Sequence, residues 1–438
     1  MKITKFYQDE YSATALYQSF RACASYLDGL KNGARKIIHV VDKNNIITEI
    51  KNSSLAAKVV ESEAYLHGQV SLEGAIVTLA QNFVGTNNFN LLKPEGNFGN
   101  RFNHEASASR YIFTRKSEWF DKLFIKSDYD ILIKQSFEGE QIEPRFYVPI
   151  LPIILLNGSE GVGNGFAQKI LPRKLFDILL ALKSIQEGKK PKRLLPFIKG
   201  FGGTIEFGEE DNKIIIKGVI EKKNLNTIII KELPFQYDLD SYLKVLNTLV
   251  DKKIIKDYTD KSDNDKFLFE IDVQREFGKL EDDQILEELK LIKRYTENFT
   301  CIDEENKIIE FSNELDLLEK YYSIRIEYYK KRKKNLLYLL DGEYDLIFNR
   351  VKFILAIINK EIEVRNVSKN IIEKKLESLS FNKINDSFDY LLQMPIWSLT
   401  KEKVEDLKLK QKEVNEKINL LKKKTEKSLW EDDIASFE

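Results

Sequence analysis

Apolar positions across residues 11–27 recur at the three-and-four spacing of an amphipathic helix, and the pattern stops at Asp28-Gly29. The same spacing predicts helices over 54–65 and 71–83, while residues 87–101, holding Pro94, Gly96 and Gly99, read as a loop. Between 126 and 310 the texture alternates. Residues 204–207, 213–219, 227–230 and 267–273 are β-branched or aromatic runs bounded by Gly, Asp, Asn or Pro, and 175–186, 239–251 and 282–291 carry helical periodicity. From Asn313 a helical pattern runs to Val364 with Gly342 its one breaker, and another helix starts near Leu399. In it Val404, Leu407, Gln411, Val414, Ile418 and Leu421 follow the spacing of a coiled-coil seam. Two long helices with a small globule between them predict a hairpin with a head, with an ordinary helical bundle as the alternative on pattern alone.

Size and composition narrow the class. A chain of 438 residues exceeds one ordinary core and implies two to four domains, and a 42% hydrophobic content is enough to fill them. The 69 basic and 69 acidic residues cancel, which excludes a polycation that coats nucleic acid by bulk charge but allows local basic surfaces. Two cysteines, Cys23 and Cys301, and three histidines exclude a disulfide scaffold or a multi-Cys/His zinc module. The N-terminus lacks the apolar run of a signal peptide, and the longest apolar stretch, residues 148–156, is about half the ~20 residues a membrane helix needs. The expectation is a soluble, cytoplasmic protein.

Nucleotide and metal chemistry find little support. The glycine cluster NGSEGVGNG (157–165) lacks the Gly-Lys-Ser/Thr ending that grips phosphate and magnesium, and reads as a turn-rich loop. The acidic pairs Asp128/Asp130 and Asp282/Asp283 have no third carboxylate at a useful spacing and read as solvated surface. The informative stretch is NFGNRFNHEASASRYIFT (97–114), where the small residues Ala106 to Ser109 lead into Arg110-Tyr111. A tyrosine with a pKa near ~10 is a poor nucleophile unassisted. An adjacent guanidinium favours the phenolate or neutralises a phosphate under attack, and a phosphotyrosine linkage conserves the broken bond for resealing. By itself, Tyr111 is also one of nineteen tyrosines beside a surface arginine.

Seven ordered motifs spread over the chain alter that balance. They are RACASYLDGLKNGARK (21–36), YLHGQVSLEGAIVTLAQNFVGTNNFNLLKPEGNFGNR (65–101), ASASRYIFT, VPILPIILLNGSEGVGNGF (148–166), FIKGFGGTIE (197–206), IIIKELPFQYD (228–238) and LLQMPIWSLTKEKVEDL (391–407). Together they resemble the DNA breakage-reunion subunit of type IIA DNA topoisomerases. In size and free-standing form the resemblance is greatest to the medium subunit of T-even-type phage enzymes, with motifs shared by gyrase A and the topoisomerase IV A-type subunit.

The resemblance implies roles. Tyr111 matches the tyrosine that attacks DNA and becomes linked to its 5′ phosphate, and Arg110 the arginine that stabilises the reacting phosphate. Arg21 matches an arginine near the scissile phosphate, and His67 the histidine before glycine that contacts the reacting strand. Lys31, Arg35 and Lys36 match basic positions that hold the DNA backbone without reading sequence. Val162 falls where the family carries an apolar wedge that unstacks a base step; without the resemblance it reads as a loop valine packed inward. The sequence departs from the motifs at Ala24 and Asn32, where proline is usual, at Leu66, which replaces a histidine and leaves His67 to act alone, and at Val70, which replaces the serine tied to quinolone binding.

The implied fold is multidomain α+β: an N-terminal arm (1–14), a winged-helix-like domain with the tyrosine (15–125), an α/β tower (126–310), a long antiparallel coiled coil (311–366 and 399–428) bearing a small C-terminal gate (367–398), and a tail (429–438). The implied activity is ATP-dependent passage of one DNA duplex through a transient double-strand break in another, by a homodimer. No metal site is expected in this chain. Mg²⁺ and ATP would be bound by a large partner subunit, and without a wrapping domain the complex would relax and decatenate DNA. A site-specific tyrosine nuclease or recombinase, or a DNA clamp of the same fold without chemistry, are the rivals. The tail around Trp430 reads as a frayed end in preference to a docking peptide, and KKRKK (330–334) as a solvated helix face in preference to a DNA contact.

Overall fold

The computed structural model describes residue 5 and residues 10–65, 67–263, 266–364, 367–384 and 386–437; Leu66, one of the motif departures, lies outside them. The chain divides into two compact units, Met1–Arg325 with Ser436–Glu438, and Ile326–Ala435.

In the first unit, helices α1 (Ser12–Ala22), α2 (Asn32–Lys43), α3 (Asn52–Ser62) and α4 (Gln69–Ala80) accompany a small antiparallel sheet of β1 (Ile50–Lys51), β2 (Leu92–Glu95) and β3 (Phe113–Lys116), with β3 in the centre. The helices bury one stripe each: Ile37, Ile38, Val40 and Val41 on α2, Leu55, Ala56 and Val59 on α3, and Leu72, Ile76 and Ala80 on α4. This is a winged-helix-like arrangement.

Three local expectations fail here, the first two through pairing with backbone outside the local stretch. The first helix ends at Ala22, five residues early, because Ala24 and Tyr26 exchange backbone hydrogen bonds with Ile302. The expected loop at 87–101 contains strand β2, which accommodates Pro94 because it is an edge strand. The glycine cluster forms one arm of a β-hairpin, β4 (Ser159–Val162) against β5 (Ala167–Ile170), with Ser159 opposite Ile170 and Val162 opposite Ala167. Helix α2 carried no separate expectation.

Beyond the hairpin, the α/β region follows the sequence pattern closely. Leu175–Gln186 and Leu239–Asp251 are helices, the latter opened by a reciprocal Asp238–Ser241 capping box. A four-stranded antiparallel sheet runs Val219–Asn224, Thr227–Glu232, Phe269–Asp272, Asp257–Asp260. Its inner residues Ile228, Ile230, Phe269 and Ile271 pack on Tyr242, Leu246, Leu249 and Ile285. A three-stranded sheet orders Ile292–Thr296, Lys213–Lys217 and Thr204–Phe207. Helices and antiparallel sheets thus coexist, as the α+β reading requires.

The second unit contains most of the 45-residue helix Glu314–Ile358. Its Ile347, Val351 and Ile354 share a core with Val404, Leu407, Val414 and Ile418 of helix Lys401–Lys423. Between the two, Ile372, Leu376, Phe381, Phe388 and Leu391 form a small core with Phe353. The tail corrects the sequence reading: Glu426–Ile434 is a helix with an N-terminal Thr425 cap. Trp430, 1% exposed, stacks on Tyr329 at 5.8 Å, and Asp433 accepts hydrogen bonds from the Tyr329 hydroxyl and from Arg332. Arg332, in the middle of KKRKK, is thereby buried, while Lys330, Lys331 and Lys334 are exposed.

A frayed end would tolerate truncation of its tryptophan. Instead, Trp430→Ala is expected to destabilise the second unit by about 3–5 kcal/mol, read from denaturant unfolding.

Candidate functional site

Tyr111 stands on a turn that its neighbours fix. Its own N–H donates to the Ala108 carbonyl (2.8 Å), Ser107 N–H reaches the Asn97 carbonyl (3.0 Å), and the Ile112 carbonyl accepts from Asn52 at the start of α3 (3.0 Å). The Ile112 side chain is buried, and the chain then enters β3. The tyrosine itself remains 65% exposed. The Arg110 guanidinium lies over its ring, 4.7 Å from the centroid, a cation–π contact. Among the described residues nothing hydrogen-bonds the Tyr111 hydroxyl.

Arg21 and His67 belong to a second cluster, in a cleft of about 640 Å³. Arg21 is in the last turn of α1 and exposed. His67 Nε2 is hydrogen-bonded to the Tyr17 hydroxyl at 2.7 Å, and Tyr65 packs edge-on to the imidazole with centroids 5.5 Å apart. Lys31 also lines the cleft, but its ammonium donates to the Glu160 carbonyl at 2.6 Å. Burial pulls Lys31 below its ordinary pKa, with Cys23 and Glu160 acting against that. Neither Arg110 nor Tyr111 lines this cleft.

Val162 ends β4 at the tip of the hairpin and is 79% exposed, so the inward-packed reading is wrong. It borders an open recess with Gln18, Arg21 and Ala22 of α1. Glycine makes that approach possible. A Cβ on Gly161 would lie 1.9 Å from the Ala22 carbonyl oxygen, and one on Gly163 2.8 Å from Ser19 Oγ. The Gln168 side chain, from β5, joins the segment after α1 to the hairpin. It accepts from Ala24 N–H (2.8 Å) and Ser159 Oγ (2.7 Å), and donates to the carbonyls of Ala24 (3.2 Å) and Thr300 (2.8 Å).

Arg35 and Lys36 are corrections. Arg35 is 3% exposed, forks onto Asp28 at 2.7 and 3.1 Å and donates to the Leu30 carbonyl. Lys36 is 7% exposed and donates to the Glu63 carbonyl (2.6 Å) and to Glu143 (2.8 Å). Both cations are spent on buried partners, so neither is presented to a duplex. Around them, burial and then Glu143 push the Glu63 carboxyl up from 4.5 to about 7, while burial and then Lys43 push His39 down from 6.5 to about 4.

Sequence reasoning missed Tyr17. The available signal was its separation of four from Arg21 on a helix, which puts both on one face. Gln168 gave no signal, since its partners come from three distant segments. Among the described residues, no group of three or more His, Cys, Asp or Glu could hold a metal ion. No described helix is long and apolar enough to cross a membrane.

The family model that describes the A-type subunit of DNA gyrase and topoisomerase IV matches residues 21–435. The chain belongs to that family. It is a breakage-reunion subunit of the type IIA class, as the seven motifs imply. It is 33% identical over 464 residues to DNA topoisomerase 2 of Plasmodium falciparum (isolate K1 / Thailand), covering 96% of this chain and 33% of that protein. With DNA topoisomerase 2 of Saccharomyces cerevisiae it is 34% identical over 497 residues, covering all of this chain and 34% of that protein. This chain therefore spans about a third of the length of the curated relatives it matches. A crystal structure of the Plasmodium falciparum topoisomerase II DNA-binding, cleavage and re-ligation domain superimposes with a TM-score of 0.89 at 33% identity, over 98% of this chain and 63% of that one.

Two measurements probe the site's scaffold. Gly161→Ala is expected to lose about 1–3 kcal/mol in urea unfolding through overlap with the Ala22 carbonyl. Gly74→Ala, on α4 with open space around its Cα, should instead gain up to about 1 kcal/mol in helix propensity. The second concerns pH. A raised carboxyl pKa means the folded state holds a proton that the unfolded state releases, so Glu63 costs stability as pH rises from 4.5 to about 7. Relative to the unsubstituted chain, Glu63→Gln should gain stability over that window; a difference that does not change with pH would place Glu63 in water.

Proposed function

We propose that this chain is the DNA cleavage-religation subunit of an ATP-dependent type IIA topoisomerase, with Tyr111 as its nucleophile. The observation that carries this is the Tyr111 hydroxyl, held out to solvent on a turn anchored by buried Ile112 with Arg110 against its ring. The Tyr111 oxygen attacks a backbone phosphorus and gives up its proton. The bond to the 3′ oxygen breaks, that oxygen takes up a proton as it leaves, and the tyrosine is joined to the 5′ phosphate. Reversal by the 3′ hydroxyl reseals the strand, so no bond energy is lost to water.

Arg110 and Arg21 supply positive charge for the phosphate oxygens, His67 a hydrogen bond to the reacting strand, and Lys31 a backbone contact. Val162 acts as the wedge. An apolar side chain on a rigid hairpin tip recovers by entering a base stack some of the contact it forgoes in water, and kinks the duplex as it does so. One nucleophile per chain cuts one strand, so a double-strand break takes a homodimer. Mg²⁺ and ATP are assigned to a large partner subunit carrying the metal-binding and ATPase domains, and no step above runs through them. The assembly passes duplex through duplex, relaxing and decatenating DNA.

The test combines this chain with Mg²⁺, supercoiled plasmid and a candidate large subunit, quenched with denaturant. Protein covalently attached to 5′ DNA ends is expected with the natural sequence and should disappear with Tyr111→Phe. Linkage that survives the substitution would falsify the assignment of the nucleophile. DNA binding without linkage in either protein would favour the clamp.

A further inference from the structure

We propose that Tyr17 is a positioning residue for strand cleavage: it holds His67 in one tautomer and orientation, and braces Arg21 beside it. This rests on the reading of His67 and Arg21 as contacts to the reacting strand. The motif that carries His67 leaves it without a second histidine, and sequence alone gives it no partner. The structure supplies one from a different element. Tyr17 lies on α1 and His67 directly before α4, yet hydroxyl and Nε2 are 2.7 Å apart. The two rings are tilted at 39° with centroids 6.3 Å apart, and Tyr65 closes the other side edge-on. The imidazole is therefore held by one hydrogen bond and one ring contact.

Tyr17 also faces Arg21 one turn later on α1, with the guanidinium 5.9 Å from its ring centroid. One phenol thus touches both groups assigned to the phosphate, the histidine through its oxygen and the arginine through its ring. All three line the same cleft.

The chemistry follows from which nitrogen is engaged. A neutral imidazole has one donor and one acceptor, and the bond made by one nitrogen fixes the role of the other. We take the phenol as the donor to Nε2 in this contact, which puts the ring proton on Nδ1. Nδ1–H is then the donor left for a phosphate oxygen, already in the form that such an acceptor needs. Without the phenol, the imidazole divides between tautomers and ring orientations, and only a fraction is competent at any moment. Tyr17 is half exposed, so this is an arrangement at the rim of the cleft that DNA can reach.

The experiment uses the intact chain, alone and with its large subunit. The chain has three histidines, so ¹⁵N-histidine labelling gives a spectrum simple enough to assign His67 by its loss in His67→Gln. The natural chain should show His67 with its proton mainly on Nδ1, and Tyr17→Phe should shift it to a mixture. In the plasmid assay, Tyr17→Phe should form covalent complex roughly three- to tenfold more slowly at unchanged DNA affinity, the size of one neutral hydrogen bond. Adding Tyr17→Phe to His67→Gln should cost little more, because the two act as one unit. Additive losses overturn the proposal, and so does an unchanged His67 tautomer, whatever the cleavage assay gives. If linkage is lost with Tyr17→Phe but kept with Tyr111→Phe, Tyr17 is the nucleophile and its positioning role is overturned along with the Tyr111 assignment. If the natural chain forms no linkage at all, the cleavage reading fails and Tyr17's role in it is overturned, while the His67 tautomer separately decides whether the pairing exists.

Discussion

The arrangement of the site depends on one buried amide. Gln168 is 1% exposed and uses both ends of its side chain on three segments that are far apart in sequence. A buried amide satisfied in this way is rigid, because releasing any partner strands a polar group away from water. Its contacts to Ala24 fix where α1 ends, the bond from Ser159 fixes the hairpin, and the bond to Thr300 ties both to the strand at 299–302. Gly161 then lets hairpin and helix touch at the Ala22 carbonyl. Arg21 and Lys31 come from one motif and Val162 from another, and this junction brings them to one place.

The same junction explains what sequence could and could not tell. Strands such as Thr204–Phe207, and helices such as Leu175–Gln186 and Leu239–Asp251, are set by their own periodicity and bounded by their own breakers, so they were legible to the residue. Early termination of α1 and strand β2 within an apparent loop each depend on a partner elsewhere in the chain. No local window contains that information. The tail failed for the same reason. Trp430 and Asp433 look like a polar, frayed end until Tyr329 and Arg332, about a hundred residues away, are placed beneath them.

For the site, motif resemblance located positions well but did not decide what each cation does. Arg21 and Arg35 sit in the same sixteen-residue motif, and both are arginines in matched positions. One is exposed at a helix end and the other is forked onto Asp28 in the interior. A charge held by a buried partner cannot also release counterions from DNA, since leaving that partner would strand a carboxylate away from water. Arg35 and Lys36 therefore hold α2 and the segment before it in place. With net charge zero, the electrostatics that matter are the few cations left at the surface near the cleft and the turn.

The exposed groups share a design. Tyr111 is followed by buried Ile112, Arg21 lies two residues from buried Cys23, and Val162 follows a glycine pressed against α1. Each of these exposed side chains thus reaches into solvent from a backbone held by a buried neighbour or a close contact. For the duplex cleavage and resealing by Tyr111 that we propose, this matters more than raw reactivity. The resealing step requires the phosphotyrosine and the 3′ hydroxyl to meet again in line, and an ångström of drift in the backbone would cost orders of magnitude in rate. A solvent-exposed tyrosine on a mobile loop would cleave and then lose its register. One on a turn pinned by Ile112, Asn52 and Ala108 retains it. On the proposed assignment of Tyr111, the rigidity of these anchors is part of the religation chemistry.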